Sequence, residues 1–145
     1  MNFQSPISDF MTKQVITVSP EDTLVHVKEI FDKYTIHHLP VVNMRMIEGI
    51  ISKTDLMHFL RGFTGVEDDN MLDEARLRNY QAKDIMTTRM AKVDSTDRIN
   101  VALEVFKINR FHALPVVDNG ELVGILTTHD IISALVTEDP VKAAF

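Results

Sequence analysis

Apolar positions run along the chain in two cycles of the same order. The first opens with a short helical turn, Ile7 to Met11, and a β-rich piece, Val15-Ile16-Thr17-Val18. Leu24, Val27, Phe31 and Tyr34 then recur at near-helical spacing and predict an amphipathic helix. Ser19-Pro20-Glu21-Asp22 reads as its start, with Ser19 as N-cap and Pro20 at the first helical position, where a missing N–H costs nothing. Leu39-Pro40-Val41-Val42 and Ile47 to Ser52 read as two strands joined by a turn, with Pro40 at a strand start, and Lys53 to Phe63 closes the cycle as a helix. In the second cycle Asp94 or Ser95 can cap, and Ile99, Ala102, Phe106 and Asn109 hold the helix face. Asp118-Asn119-Gly120-Glu121 is a turn, and Thr128 to Val136 closes as a helix.

The cycles are copies. Residues 7–57 overlay residues 82–132 at a constant offset of 75 without a gap, with fifteen identities in fifty-one positions. Met11-Thr12 falls on Met86-Thr87, Leu39-Pro40-Val41-Val42 on Leu114-Pro115-Val116-Val117, Gly49-Ile50 on Gly124-Ile125, and Asp55 on Asp130. A duplication of this quality organises everything else in the chain. One copy of about 50 residues buries only about 60% of its extended surface, whereas two copies can cover each other's sheets. The expected architecture is therefore α/β (α+β), with β-α-β-β-α repeats over 1–61 and 82–145 fused into one domain by an acidic connector, 62–81. The connector's middle, Met71 to Tyr80, can form a short helix.

Composition narrows the function. With 145 residues, 45% of them hydrophobic, there is material for a real core. A net charge of −6 argues against a general nucleic-acid binder, which needs a clustered basic surface. The absence of cysteine removes disulfides, thiolate nucleophiles and Cys-rich zinc sites. Apolar stretches such as Ile131 to Val136 fall far short of the roughly 20 residues of a membrane span. The first residues lack the basic start and apolar run of a secretory signal, so a cytoplasmic address is expected. No nucleophile-elbow, zincin or phosphate-loop motif is present, and no enzymatic activity is expected.

Met-Thr before the first strand, an apolar-Pro-Val-Val strand, and a Gly followed by two apolar residues and Ser/Thr-x-x-Asp each occur twice at corresponding places. In these features nearly the whole chain resembles the CBS-domain pair (cystathionine β-synthase domain pair, or Bateman module). The resemblance implies two repeats packed through their sheets about a pseudo-twofold axis, and two clefts that often hold AMP, ADP, ATP or another adenosyl ligand. It also implies association of pairs into a homodimer.

The residues themselves fit such a ligand. Ser52-Lys53-Thr54-Asp55 and Thr127-Thr128-His129-Asp130 each lead from an apolar strand into a helix N-terminus, where free N–H groups and the helix dipole favour a phosphate. The hydroxyl of Ser52 or Thr127 can bond a phosphate or ribose oxygen, and the carboxylate of Asp55 or Asp130 can accept from ribose hydroxyls. The same spacing is also a capping arrangement, and the two roles can coexist. His37-His38-Leu39-Pro40 resembles the His-Arg-Leu-Pro stretch of nucleotide-binding CBS repeats, in which the basic pair reaches the phosphates, while His112 is followed by Ala113. His37 and His112 stand between phosphate contact and a structural hydrogen bond. His37 and His38, as strand neighbours, point to opposite faces and cannot converge on one ligand atom or on zinc. The family places the adenine walls around Thr17 and Lys92 in the first strands and around Leu39, Pro40, Leu114 and Pro115, all of which also read as core. Lys53 and Arg110 are either phosphate cations or solvated side chains.

The scarcity of arginine near the histidines favours AMP or ADP over ATP, with S-adenosylmethionine a further option. Asn43-Met44-Arg45-Met46 replaces the Gly-containing turn of the second copy, so that the first turn must differ or carry strain. The expected role is a nucleotide-sensing regulatory module whose output passes to a separate effector protein; the alternative is a ligand-free structural or dimerisation module.

Overall fold

The computed structural model describes residues 1–64, 70–109 and 112–138. A 3-10 turn, Ile7–Asp9, is followed by α1 (Leu24–Lys33), β1 (His38–Asn43), β2 (Met46–Ser52), α2 (Lys53–Thr64), α3 (Asn70–Asn79) and α4 (Ala82–Ile85). The second half continues with α5 (Ile99–Asn109), β3 (Ala113–Asp118), β4 (Glu121–Thr127) and α6 (Thr128–Glu138). The fold class is mixed α+β.

The chain segregates into two compact units, and neither coincides with a contiguous repeat. One unit is Ile16–Met90; the other joins Met1–Val15 to the chain from Ala91 onward. In the first unit, Leu24, Val27 and Phe31 of α1 pack with Leu39 and Val41 of β1, Ile51 of β2, Leu56 of α2, Leu77 of α3 and Ala82 of α4. In the second, Ile99 and Ala102 of α5 pack with Leu114, Val116, Leu126 and Ile131, and the core is completed by Ile7 from the N-terminal turn. Ile7 is fully buried there, its N–H donating to the Asp97 carbonyl at 2.8 Å while Ile99 N–H donates to Ser5 at 2.9 Å. The first unit is closed the same way by the end of the connector and the start of the second repeat: Leu24 N–H donates to Tyr80 and Ala82 N–H to Asp22.

These contacts move the helix starts away from where the sequence places them. Ser19 is not an N-cap: α1 begins at Leu24, capped by Thr23, whose hydroxyl accepts from His26 N–H. Residues 20–23 remain extended or turned because their backbone is engaged by residues 80–83, including a Thr23–Gln81 bridge and a bond from Lys83 N–H to Pro20. Likewise α5 begins at Ile99, not after Asp94 or Ser95, with Arg98 bridged to Pro6. The local capping signals at Ser19-Pro20 and at Asp94-Ser95 are overruled by main-chain pairing that arrives from distant sequence.

The strand expected over Val15–Val18 is a single parallel bridge, Val18 to Val41, repeated as Val93 to Val116. Val18 N–H donates to the Pro40 carbonyl and Val42 N–H to the Val18 carbonyl, at 3.1 and 2.8 Å. The next bond of a parallel ladder would need the N–H that Pro40 lacks, and Pro115 ends the second ladder identically. On the opposite edge Pro40 faces Ile50 in the β1–β2 register. Ile50 directs its own N–H and C=O to Thr87, so this proline occupies a non-hydrogen-bonded pair and costs the hairpin nothing. Both β1–β2 and β3–β4 carry a bulge, after Val41 and after Val116.

Each hairpin turns through two residues of positive φ: Asn119 and Gly120 at 52° and 84°, Met44 and Arg45 at 50° and 70°. The first turn thus keeps the geometry of the second and carries the strain.

Candidate functional site

β2 and β4 each run directly into a helix, and the junction is built twice on one plan. At the first, Ser52 N–H donates to Asp55 Oδ2 at 3.0 Å and Asp55 N–H donates to Ser52 Oγ at 2.9 Å. At the second, Thr127 N–H donates to Asp130 Oδ2 at 2.9 Å and Asp130 N–H to Thr127 Oγ1 at 3.1 Å. Both are reciprocal capping boxes that satisfy helix-terminal amides and set a carboxylate at the positive end of α2 and of α6. Each carboxylate is half-buried and keeps acceptor capacity, since an ionised Asp offers about four lone-pair sites and the cap uses one.

The histidines are tied to these junctions through their backbone. His37 C=O accepts from Lys53 N–H at 2.9 Å, and His112 C=O accepts from Thr128 N–H at 3.0 Å. In register, His38 lies opposite Ser52 and Ala113 opposite Thr127. The parallel bridges bring Thr17 and Lys92, immediately before Val18 and Val93, to the same ends of their sheets. The first unit therefore gathers Thr17, His37, His38, Ser52, Lys53 and Asp55. Thr17, His37 and Lys53 are exposed, His38 half-buried. The second gathers Lys92, His112, Thr127 and Asp130, of which Lys92 and His112 are exposed. Leu39, Pro40, Leu114 and Pro115 are fully buried beneath these ends, within the cores. Arg110 lies outside the described residues.

Reading the sequence missed what stands behind each junction. A Cβ on Gly49 would come within 2.6 Å of Met86 Sδ, and one on Gly124 within 2.6 Å of Met11 Sδ. The repeated Gly and the repeated Met are thus one packing arrangement, each Met entering the unit of the other copy's Gly. Thr12 goes further: its hydroxyl donates to Asp130 Oδ1 at 3.4 Å, across 118 residues of sequence. The duplication displayed both Met-Thr pairs, but nothing local in it told which copy each would join.

Among the described residues, no group of three His, Cys, Asp or Glu is placed to hold a metal ion, and no helix is long and apolar enough to cross a membrane.

A sequence model of the CBS domain matches residues 7–62 and 82–137. An inosine-5'-monophosphate dehydrogenase of Methanocaldococcus jannaschii is 32% identical over 126 residues, covering 86% of this chain but 22% of that protein. The chain spans less than half the length of the first curated relatives it matches. Among solved structures, a putative acetoin utilization protein of Vibrio cholerae superposes with a TM-score of 0.79 at 20% identity, over 97% of this chain and 98% of that one. The structure of CBSX2 in complex with AMP superposes at 0.76 with 26% identity, over 91% and 97%. With both repeats matched in sequence and their elements reproduced in space, the chain belongs to the CBS-domain family.

Proposed function

We propose that the protein is a non-catalytic regulatory module that binds an adenine nucleotide at its strand-to-helix junctions and signals by changing conformation. The observation that carries this is the junction itself. In both units a hydroxyl, a carboxylate with spare acceptor sites, a helix N-terminus and an exposed histidine stand at one end of the sheet. The helix terminus suits a phosphate and the carboxylate a ribose diol. The likeness to a protein solved with AMP supports the same ligand class. AMP or ADP suits the modest positive charge nearby better than ATP does, and S-adenosylmethionine remains in the same class. The dehydrogenase match covers 22% of that enzyme and carries no catalytic activity to this chain.

The proposal extends to a cytoplasmic homodimer acting on a separate effector protein, with no nucleic acid or membrane partner. Ile132, Leu135 and Val136 on α6 are exposed and offer apolar surface for self-association. A ligand that binds only the folded state adds about 2.7 kcal/mol of stability at a hundredfold excess over Kd. A thermal-shift panel of AMP, ADP, ATP, S-adenosylmethionine and NADH against a GTP control is therefore decisive. Adenosyl ligands are expected to raise Tm by several degrees and GTP to leave it unchanged. Asp55→Ala and Asp130→Ala are expected to abolish the shift while costing only about 0.5–2 kcal/mol as lost caps. The closed capping boxes favour a second reading, a ligand-free structural module, which a flat panel would support; Asp variants that bind as well as wild type would instead leave Asp55 and Asp130 as helix caps alone.

A further inference from the structure

Asp130 is the carboxylate assigned above to the ribose, and its two oxygens have different partners. Oδ2 accepts from Thr127 N–H, the cap of its own helix. Oδ1 accepts from the Thr12 hydroxyl, which belongs to the other sequence copy and reaches α6 because Thr12 is paired with Ile125 of β4, N–H to C=O in both directions, at 2.9 and 3.0 Å. Pinning each oxygen from a different direction holds the carboxylate plane in one orientation. At 3.4 Å the hydroxyl bond is longer than the usual 2.7–2.8 Å, so Oδ1 is oriented while its remaining lone pair stays available.

The other junction lacks this feature. Thr87 pairs with Ile50 through the same two backbone bonds, yet among the described residues its hydroxyl makes no bond to Asp55. From this asymmetry the geometry points to Thr12 as a positioning residue for the ribose-binding carboxylate of the second unit, a role that Thr87 does not have in the first. The inference rests on the proposed nucleotide reading, and it makes the two junctions unequal in their demand for a 2′-hydroxyl. It also ties the second site to the N-terminal segment: Thr12 lies three residues before Val15, where the chain leaves that unit for the other.

The test is calorimetric titration of the full chain with AMP and with 2′-deoxy-AMP, for wild type, Thr12→Val, Thr12→Ser and Thr87→Val. Valine keeps the shape of threonine and removes the donor. Thr12→Val is expected to weaken AMP at one class of site by about three- to tenfold, the range of a single net hydrogen bond, and to bring the AMP to 2′-deoxy-AMP ratio at that site toward one. Thr12→Ser is expected to restore the preference, and Thr87→Val to leave it unchanged. A wild-type preference that survives in Thr12→Val, or is lost equally in Thr87→Val, would overturn the positioning role while leaving nucleotide binding intact. Wild-type protein that binds neither nucleotide would overturn the functional reading and this inference with it.

Discussion

Gly49 and Gly124 show how a single missing Cβ is decided. Both are followed by an Ile-rich strand end and precede the Ser/Thr-x-x-Asp segment, so the sequence alone invites a ligand-based reason for them. The structure supplies a steric one, because Met86 and Met11 fill the space a side chain would take. At Gly49 the contact includes Met86 Cβ at 2.9 Å, which cannot swing away as a thioether can. Gly49→Ala is therefore expected to destabilise by about 1–3 kcal/mol, the usual cost of overpacking. Combining it with Met86→Ala should cost less than the two single changes added, since the second removes Sδ and Cγ, the two closest of the three contacts, and leaves only Cβ. Urea unfolding of the four proteins measures this; strict additivity would show that the thioether is not what excludes a methyl group.

At the scale of elements, the duplication acts as an internal control, since the same turn is written in two sequences. Asn119-Gly120 occupies positive φ at little cost, whereas Met44-Arg45 occupies it with two residues that resist it. Arg45→Gly is expected to stabilise the protein by about 1 kcal/mol, raising Tm by about 2–4 °C. An unchanged or lowered Tm would show that Arg45 makes a compensating contact. The second hairpin has its own asymmetry: the Ser95 hydroxyl donates to Asp118 Oδ2 at 2.5 Å and Ser95 N–H to Oδ1 at 3.0 Å. The first copy has Pro20 and Asn43 at the equivalent positions and cannot form this pair. The Ser95 hydroxyl first, and its N–H second, hold the Asp118 carboxyl below the ordinary carboxylate range, against a smaller opposing effect of burial. A carboxyl whose pKa falls on folding stabilises the fold above its unfolded value of about 3.9, and that stability is lost as pH drops through the lower folded value. Ser95→Ala should thus lower stability at pH 7, and its gap from wild type should narrow under acid; a gap constant from pH 7 to 3 would exclude the ionised pair as its cause.

For the whole molecule, the decisive fact is that each compact unit borrows its closing segment from the start of the other repeat. Ile7 is the test residue, being fully buried in a core whose other buried residues all lie within 93–131. Ile7→Ala is expected to cost about 2–5 kcal/mol, as for other buried large-to-small changes. A loss under about 1 kcal/mol in denaturant unfolding would mean that the N-terminal turn does not complete that core.

The duplication, the hairpins, the closing helices and the Ser/Thr-x-x-Asp junctions were legible in the sequence, because spacing, turn residues and capping patterns act within a few residues of one another. The short helix expected from Met71 to Tyr80 is found at Asn70–Asn79 for the same reason. What local pattern could not reveal was decided by bonds between residues far apart in sequence. The backbone of 80–83 holds 20–23 out of the helix that Ser19 and Pro20 announce. Pro40 and Pro115 end the parallel ladders after one bridge, which becomes visible only once the pairing partner is known. Likewise, Met11 and Thr12 meet Gly124 and Asp130 rather than their own copy's Gly49 and Asp55, a choice between identical motifs that only the tertiary path of the chain makes.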